Sequence, residues 1–216
     1  MGNRVPSILP EGGPLMYRKT LTLALALGLC ASLIAATASA ATTTYNVDNT
    51  HSSVTFKIRH LVSKVAGRCD KVSGTIVADR ADLTKSTVEL TIDATSIDTD
   101  NENRDGHLKS PDFFDTEKFP TITFKSTKVE KTGENTYGVT GDFTMRGVTK
   151  SMVIPVTVLG ISDGAQGSMA GFETTFPLNR KEFGVEWNKA LDAGGFVLGD
   201  EVDVNILLEA REPKKE

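Results

Sequence analysis

The sequence predicts an all-β domain of eight antiparallel strands carrying a short helical insertion. Two observations predict it. Apolar and polar residues alternate at period two in segment after segment, the mark of strands with one buried and one wet face. Turn-forming residues separate these segments closely, and short connections favour antiparallel neighbours.

The first strong run alternates Val54, Phe56 and Ile58 with Ser53, Thr55, Lys57 and Arg59. A weaker strand is expected over 72–78. The pattern then recurs at Val88, Leu90, Ile92 and Ala94, at Ile122 and Phe124, and at Val139, Phe143 and Met145. It continues at Met152, Ile154, Val156 and Val158, at Ala170, Phe172 and Phe176, and at Val202, Val204, Ile206 and Leu208. Turns are expected at 79–84, 131–135, 146–147, 162–164 and 199–200, where Gly, Asp, Asn and Thr gather. Residues 101–115 break the alternation; Leu108, Phe113 and Phe114 fall on one side of a short helix or pair of turns, with Asp98 or Asp100 as the expected N-cap. Residues 181–199 carry Phe183, Trp187, Leu191 and Phe196 among glycines and read as a long ordered loop. Eight such strands close as a two-sheet sandwich or as an up-and-down barrel, and the pattern alone leaves both open. Small inward residues, Gly74, Ala94, Gly141 and Ala170, favour space inside.

The first forty residues belong to export rather than to the fold. Met16 opens a short basic head with Arg18 and Lys19, an apolar run follows over 21–36, and Ala38, Ser39 and Ala40 form a small-residue cleavage site. Residues 1–40 are therefore expected to be an upstream extension and signal peptide removed after Ala40, and residues 41–216 a single domain. The apolar run is too short to span a bilayer comfortably and no second one follows, so stable membrane insertion is not expected. Leu29 precedes Cys30, where lipid attachment asks for a small residue. Removing the three basic and one acidic residues of the first forty leaves 21 basic against 27 acidic groups, a net charge of −6. That balance makes nucleic acid a poor partner. Cys69 alone survives processing, so no intrachain disulfide can form; in a strand-like segment it reads as a small buried hydrophobe.

Catalytic and metal motifs are absent from the sequence. His51, His60 and His107 match no local zinc spacing, and His51 opens a strand that His60 closes, about 30 Å away at ~3.3 Å per residue. An EF-hand loop begun at Asp98 needs glycine at its sixth place and glutamate at its twelfth; Asn103 and Lys109 stand there. No nucleophile elbow, phosphate loop or dinucleotide turn occurs, so neither catalytic residues nor a cofactor are expected. Phe113, Phe114 and Trp187, with His60, Arg104 and His107 as polar groups, are the candidate rim or lid of a cavity.

Taken in order, the residues Tyr45 to Asp48, His51, Ser52, Val54 to His60, Gly67 and Gly74 to Ile76 form a familiar series. It runs on through Asp93 to Ile97, Thr99, Arg104 to Ser110, Asp112 to Phe114, Phe119 to Phe124 and Thr144 to Lys150, and ends with Arg180, Phe183, Gly184 and Gly199 to Val202. The whole of 41–216 resembles the YceI-like family of periplasmic, lipocalin-like, polyisoprenoid-binding proteins. The resemblance implies an extended eight-stranded antiparallel lipocalin-like barrel around an apolar tunnel, and so decides between sandwich and barrel. It also implies noncovalent carriage or storage of a long isoprenoid, quinone-like or other lipid chain in the periplasm, with no reaction performed. One stretch departs from the pattern: the family's Gly-x-Phe-x-x-Phe-x-Gly is here Gly67, Cys69, Val72 and Gly74. Alternation selects Val54, Phe56, Ile58, Leu90, Ile92, Phe124, Phe143, Ile154, Val156, Phe172, Val204 and Ile206 as the inward lining. Two other readings compete, an enzyme acting on a quinone-like substrate through His60 or His107, and a filled barrel serving as a stress or interaction module. A homodimer through exposed strands is compatible with any of them.

Overall fold

Period-two alternation builds one closed sheet. The computed structural model describes residues 42–213 except positions 166 and 193; the expected signal peptide and its cleavage site lie outside the described residues. The strands are β1 (Thr42–Val47), β2 (Ser53–His60), β3 (Ser63–Cys69), β4 (Val72–Asp79), β5 (Thr87–Asp93), β6 (Ile97–Asp98), β7 (Thr121–Lys131), β8 (Thr136–Met145), β9 (Val148–Gly164), β10 (Gly167–Asn179) and β11 (Leu198–Arg211), with one helix, α1 (Glu102–Lys109).

Eleven strands make eight staves because three staves are broken. β1 and β2 run end to end along one edge of β11: Val47 pairs with Ala210, and after the break Ser53 pairs with Leu207. β3 and β4 share the next stave, facing β2 and β1, and β5 and β6 share the third. All pairings are antiparallel, successive staves are neighbours, and β1 on β11 closes the barrel. The breaks are chemical. The carboxylates of Asp48 and Asp93 accept hydrogen bonds from the backbone N–H of Thr50 and Thr95, forming short turns that compete with the ladder. The breaks also lie side by side: Asn49 accepts from Val72 N–H at 2.6 Å and donates to the Asp70 carbonyl, while Ser96 accepts from Lys71 N–H.

Several local expectations shift. Ser162, Asp163 and Gly164, expected in a turn, pair in the ladder between β9 and β10. Gly199 and Asp200 lie inside β11, at a register shift between Leu198 and Val202. A second register shift, between Ser126 and Lys128 in β7, moves the inward phase by one residue, so that Val129 follows Phe124 on the buried side. The cap of α1 is Asn101, which accepts from Arg104 N–H at 3.0 Å; Asp98 instead accepts from Asp100 N–H at 2.7 Å. Asp98 is thereby used in the preceding turn, one step too early to cap the helix.

The small inward residues also act differently from expectation. One end of the barrel is closed by Tyr45, fully buried among Ile76, Ala78, Ala170 and Ala210, with its hydroxyl 3.0 Å from Ser168 Oγ. Ala170 thus helps to seat a tyrosine. A methyl group on Gly141 would fall 2.6 Å from the Phe124 ring, and Gly67 and Gly74 similarly lie against Phe56 and Leu90. Ala94 sits in the turn after β5. These positions make room for large neighbouring side chains.

Candidate functional site: an apolar cavity along the barrel

Strand alternation sends one face of every stave inward, and the inward side chains do not fill the barrel. Two cavities lie end to end within it. The smaller, about 110 Å³, extends toward the closed end and is walled by Leu90, Phe124, Ile154, Val156 and Phe172 with Ile76, Val139 and Leu208. The larger, about 290 Å³, extends toward the helical insertion and is walled by Val54, Phe56, Ile58 and Val204 with Val65, Cys69, Ile97 and Leu178. Ile92, Ile122, Phe143, Phe176 and Ile206 line both and form a waist between them. All twelve side chains selected by alternation therefore face a cavity. Along β11 the lining runs from Leu198 to Leu208, about 33 Å of strand at ~3.3 Å per residue.

The six rim candidates all line the larger cavity. His107 packs edge-on against Phe113 and Trp187, with centroids 4.9 and 5.1 Å away, and its Nε2 lies 2.9 Å from Asp112 Oδ2. Phe114 follows in the same turn and packs on the main core. Arg104 donates from Nε to Thr99 Oγ1 and from Nη2 to the Thr99 carbonyl, both at 2.7 Å. Thr99 in turn donates from its hydroxyl and backbone N–H to Asp105; burial opposes the Asp105 charge, but these hydrogen bonds hold its carboxyl below the usual range. His60 enters from the far end of β2. His51 lies at the turn before β2, beside Asp48, and does not line either cavity. The group Asp48, His51 and Glu209 has metal-ligating atoms within 4.8 Å of one another, but Arg211 already places its guanidinium 2.9 Å from Asp48 and 2.8 Å from Glu209.

Sequence reasoning gave Arg180 no role in the cavity. It is 3% exposed, lines the larger cavity, and donates to the carbonyls of Gly199, Val185 and Trp187 at 2.7–2.9 Å. Its Nη2 is buried with no hydrogen-bond partner among the described residues, 3.6 Å from Asp200 Oδ1. Burial pushes this guanidinium below its ordinary value, and Asp200 partly restores it. The signal was available: Phe172, Thr174, Phe176, Leu178 and Arg180 are successive alternate residues, so the inward phase of β10 runs on into Arg180. Thr174 Oγ1 is a second buried polar atom without a partner among the described residues, in the wall of the smaller cavity. Cys69 is buried in the larger wall; burial, then the nearby Asp70 and Asp93 charges, push its thiol up to about 12. With Val72 it occupies the places where the expected pattern has two phenylalanines, and both side chains join the core.

A closed eight-stranded antiparallel barrel around an apolar cavity, with a few polar groups at one end, defines a small-molecule-binding type of β-barrel. The sequence pattern of the YceI-like domain matches residues 45–210, and the chain belongs to that family. A UPF0312 protein of Staphylococcus aureus is 39% identical over 165 residues, covering 74% of this chain and 92% of the relative. The crystal structure of a Campylobacter jejuni YceI protein superposes with a TM-score of 0.61 at 31% identity, over 73% of this chain and 91% of that one. Burkholderia cenocepacia BcnA superposes with a TM-score of 0.67 at 26% identity, over 76% and 98%. A domain from Saccharophagus degradans, described as polyisoprenoid binding, shares the fold with a TM-score of 0.61 at 19% identity, over 78% and 98%.

Proposed function

We propose that this chain binds a long apolar molecule, an isoprenoid or similar lipid-like chain, and carries or stores it without chemical change. The observation that carries the reading is the paired cavity: an almost wholly apolar space, elongated along the barrel axis, with its histidines and arginines gathered at one end. An apolar tail gains about 0.8 kcal/mol per buried methylene, so a chain of many carbons has ample reason to enter. The charged and hydrogen-bonding groups at the wide end, Arg104, His60 and His107, suit a polar headgroup that accepts hydrogen bonds, such as a quinone carbonyl or a phosphate. The twelve alternating side chains are the tail's lining, and Phe113, Phe114 and Trp187 its lid. The basic head, apolar run and small-residue site before residue 41 support export, and the family resemblance supports the periplasm as the place of action.

The test uses the chain from residue 41 onward, which holds every strand of the closed barrel. It is incubated with a long polyprenol or polyprenyl quinone, passed through gel filtration, and extracted. Stoichiometric retention is expected, with loss in Ile206→Asp, which places a carboxylate at the waist. Equal retention by Ile206→Asp, confirmed as folded by circular dichroism, would overturn the cavity assignment.

A further inference from the structure

Two connections at the wide end of the barrel present apolar side chains to solvent. Leu61 and Val62 form the link between β2 and β3, and Val62 is fully exposed. Leu61 has φ +52, a left-handed conformation that suits Asn or Gly far better than a leucine. Leu191 and Phe196 project from the neighbouring loop, Phe196 with 52% of its surface exposed. The two connections are tied together: Leu61 N–H donates to the Val197 carbonyl at 2.8 Å, and Arg59 Nη1 donates to the carbonyls of both Leu61 and Phe196. Immediately behind them His60, Val197 and Leu198 line the larger cavity.

We propose that these two tips dock the barrel on a lipid bilayer, placing the mouth of the cavity against the interface. The occupant follows from the backbone chemistry. The Leu61 N–H and the Leu61 and Phe196 carbonyls are satisfied from within the chain, which lowers the cost of bringing these tips against hydrocarbon, because lipid tails return no hydrogen bonds. The backbone of Val62, which has no internal partner among the described residues, then stays at the hydrated headgroup level. The Lys181 ammonium lies 5.7 Å over the Phe196 ring, so an aromatic body is paired with a cation on a flexible stem, the combination that settles at a membrane interface. Charge is not the main attraction: Asp192 is exposed beside Leu191, and Lys64 and Lys181 are paired with Asp203 and Asp200. Apolar insertion drives the contact, which should accordingly survive salt. The purpose of the surface rests on the carrier reading above, since an apolar cargo enters and leaves most cheaply where water is absent.

The test is flotation of the cargo-free chain from residue 41 onward with phosphatidylcholine vesicles, at low and high salt. The expected result is partition that changes little with salt and falls at least about tenfold in the double variant Val62→Asp, Phe196→Asp, whose sites are exposed and outside the core. Partition equal in wild type and variant, or none in wild type, would overturn the proposal. So would loss of a dimer on light scattering in the variant without loss of flotation, which would make a second copy the occupant. Polyprenol retention, measured separately in both proteins, distinguishes the two readings: flotation without retention sinks the cargo, and retention without flotation sinks the docking surface.

Discussion

Phe143 stands at the waist between the cavities, 6% exposed, with its ring edge-on to Phe183 at 5.3 Å. Phe143→Ala removes a wall that is packed on one side and faces open space on the other. The cost should therefore fall at the low end for such truncations, about 3 kcal/mol, of which ~1 kcal/mol is the contact with Phe183. For a domain of this size each kcal/mol lowers Tm by ~2–4 °C, giving a drop of about 6–12 °C. The same change merges the two cavities, so the variant should retain bulkier or more branched chains than the wild type. Thermal unfolding followed by circular dichroism measures the first effect, and competition between linear and branched long-chain alcohols, read by extraction after gel filtration, measures the second. A Tm within 1 °C of wild type together with unchanged selectivity would show that the ring neither packs the wall nor restricts the passage, and would refute the waist.

Gly141→Ala should lose about 1–3 kcal/mol in urea unfolding, because the new methyl would meet the Lys125 carbonyl at 2.5 Å and the backbone cannot rotate away as a side chain could. Tyr45→Phe removes the hydrogen bond to the buried Ser168 hydroxyl, which also bonds the Asp163 carboxylate, and should cost about 1 kcal/mol; a strictly additive double variant with Ser168→Ala would deny the pairing. Cys69 should resist a thiol reagent at neutral pH until the protein unfolds. Its folded pKa is raised from 9.0 to about 12, so its stabilising contribution is whole below pH 9 and is lost as pH rises toward 12; Cys69→Ala should flatten that alkaline decline in Tm.

Period two carried the strands and the lining, because it survives wherever a strand keeps its register; it left sandwich and barrel open, and only the family resemblance pointed to the barrel. The alternation yielded the twelve lining side chains, and two steps beyond Phe176 along the same phase it would have yielded Arg180. It missed β1, β3 and the two-residue β6. In β1 the only large inward side chain is Tyr45, and in β3 the inward places hold Val65, Gly67 and Cys69, too small to stand out. The bulges at Thr127 and at Gly199 to Glu201 were invisible for a different reason: an inserted residue is a property of two paired strands, and one strand's pattern does not contain it. The rim was legible as residue types but not as a constellation. The meeting of His107, Phe113 and Trp187 depends on the insertion folding back across the barrel end toward a loop about eighty residues later, which no local spacing encodes.

The most direct measurement is native mass spectrometry of the chain from residue 41 onward, purified gently from cells that produce it, followed by solvent extraction and identification of what is released. A single apolar chain per barrel, isoprenoid or lipid-like, is the predicted result. An empty barrel that stays empty after incubation with polyprenols and polyprenyl quinones would contradict the account.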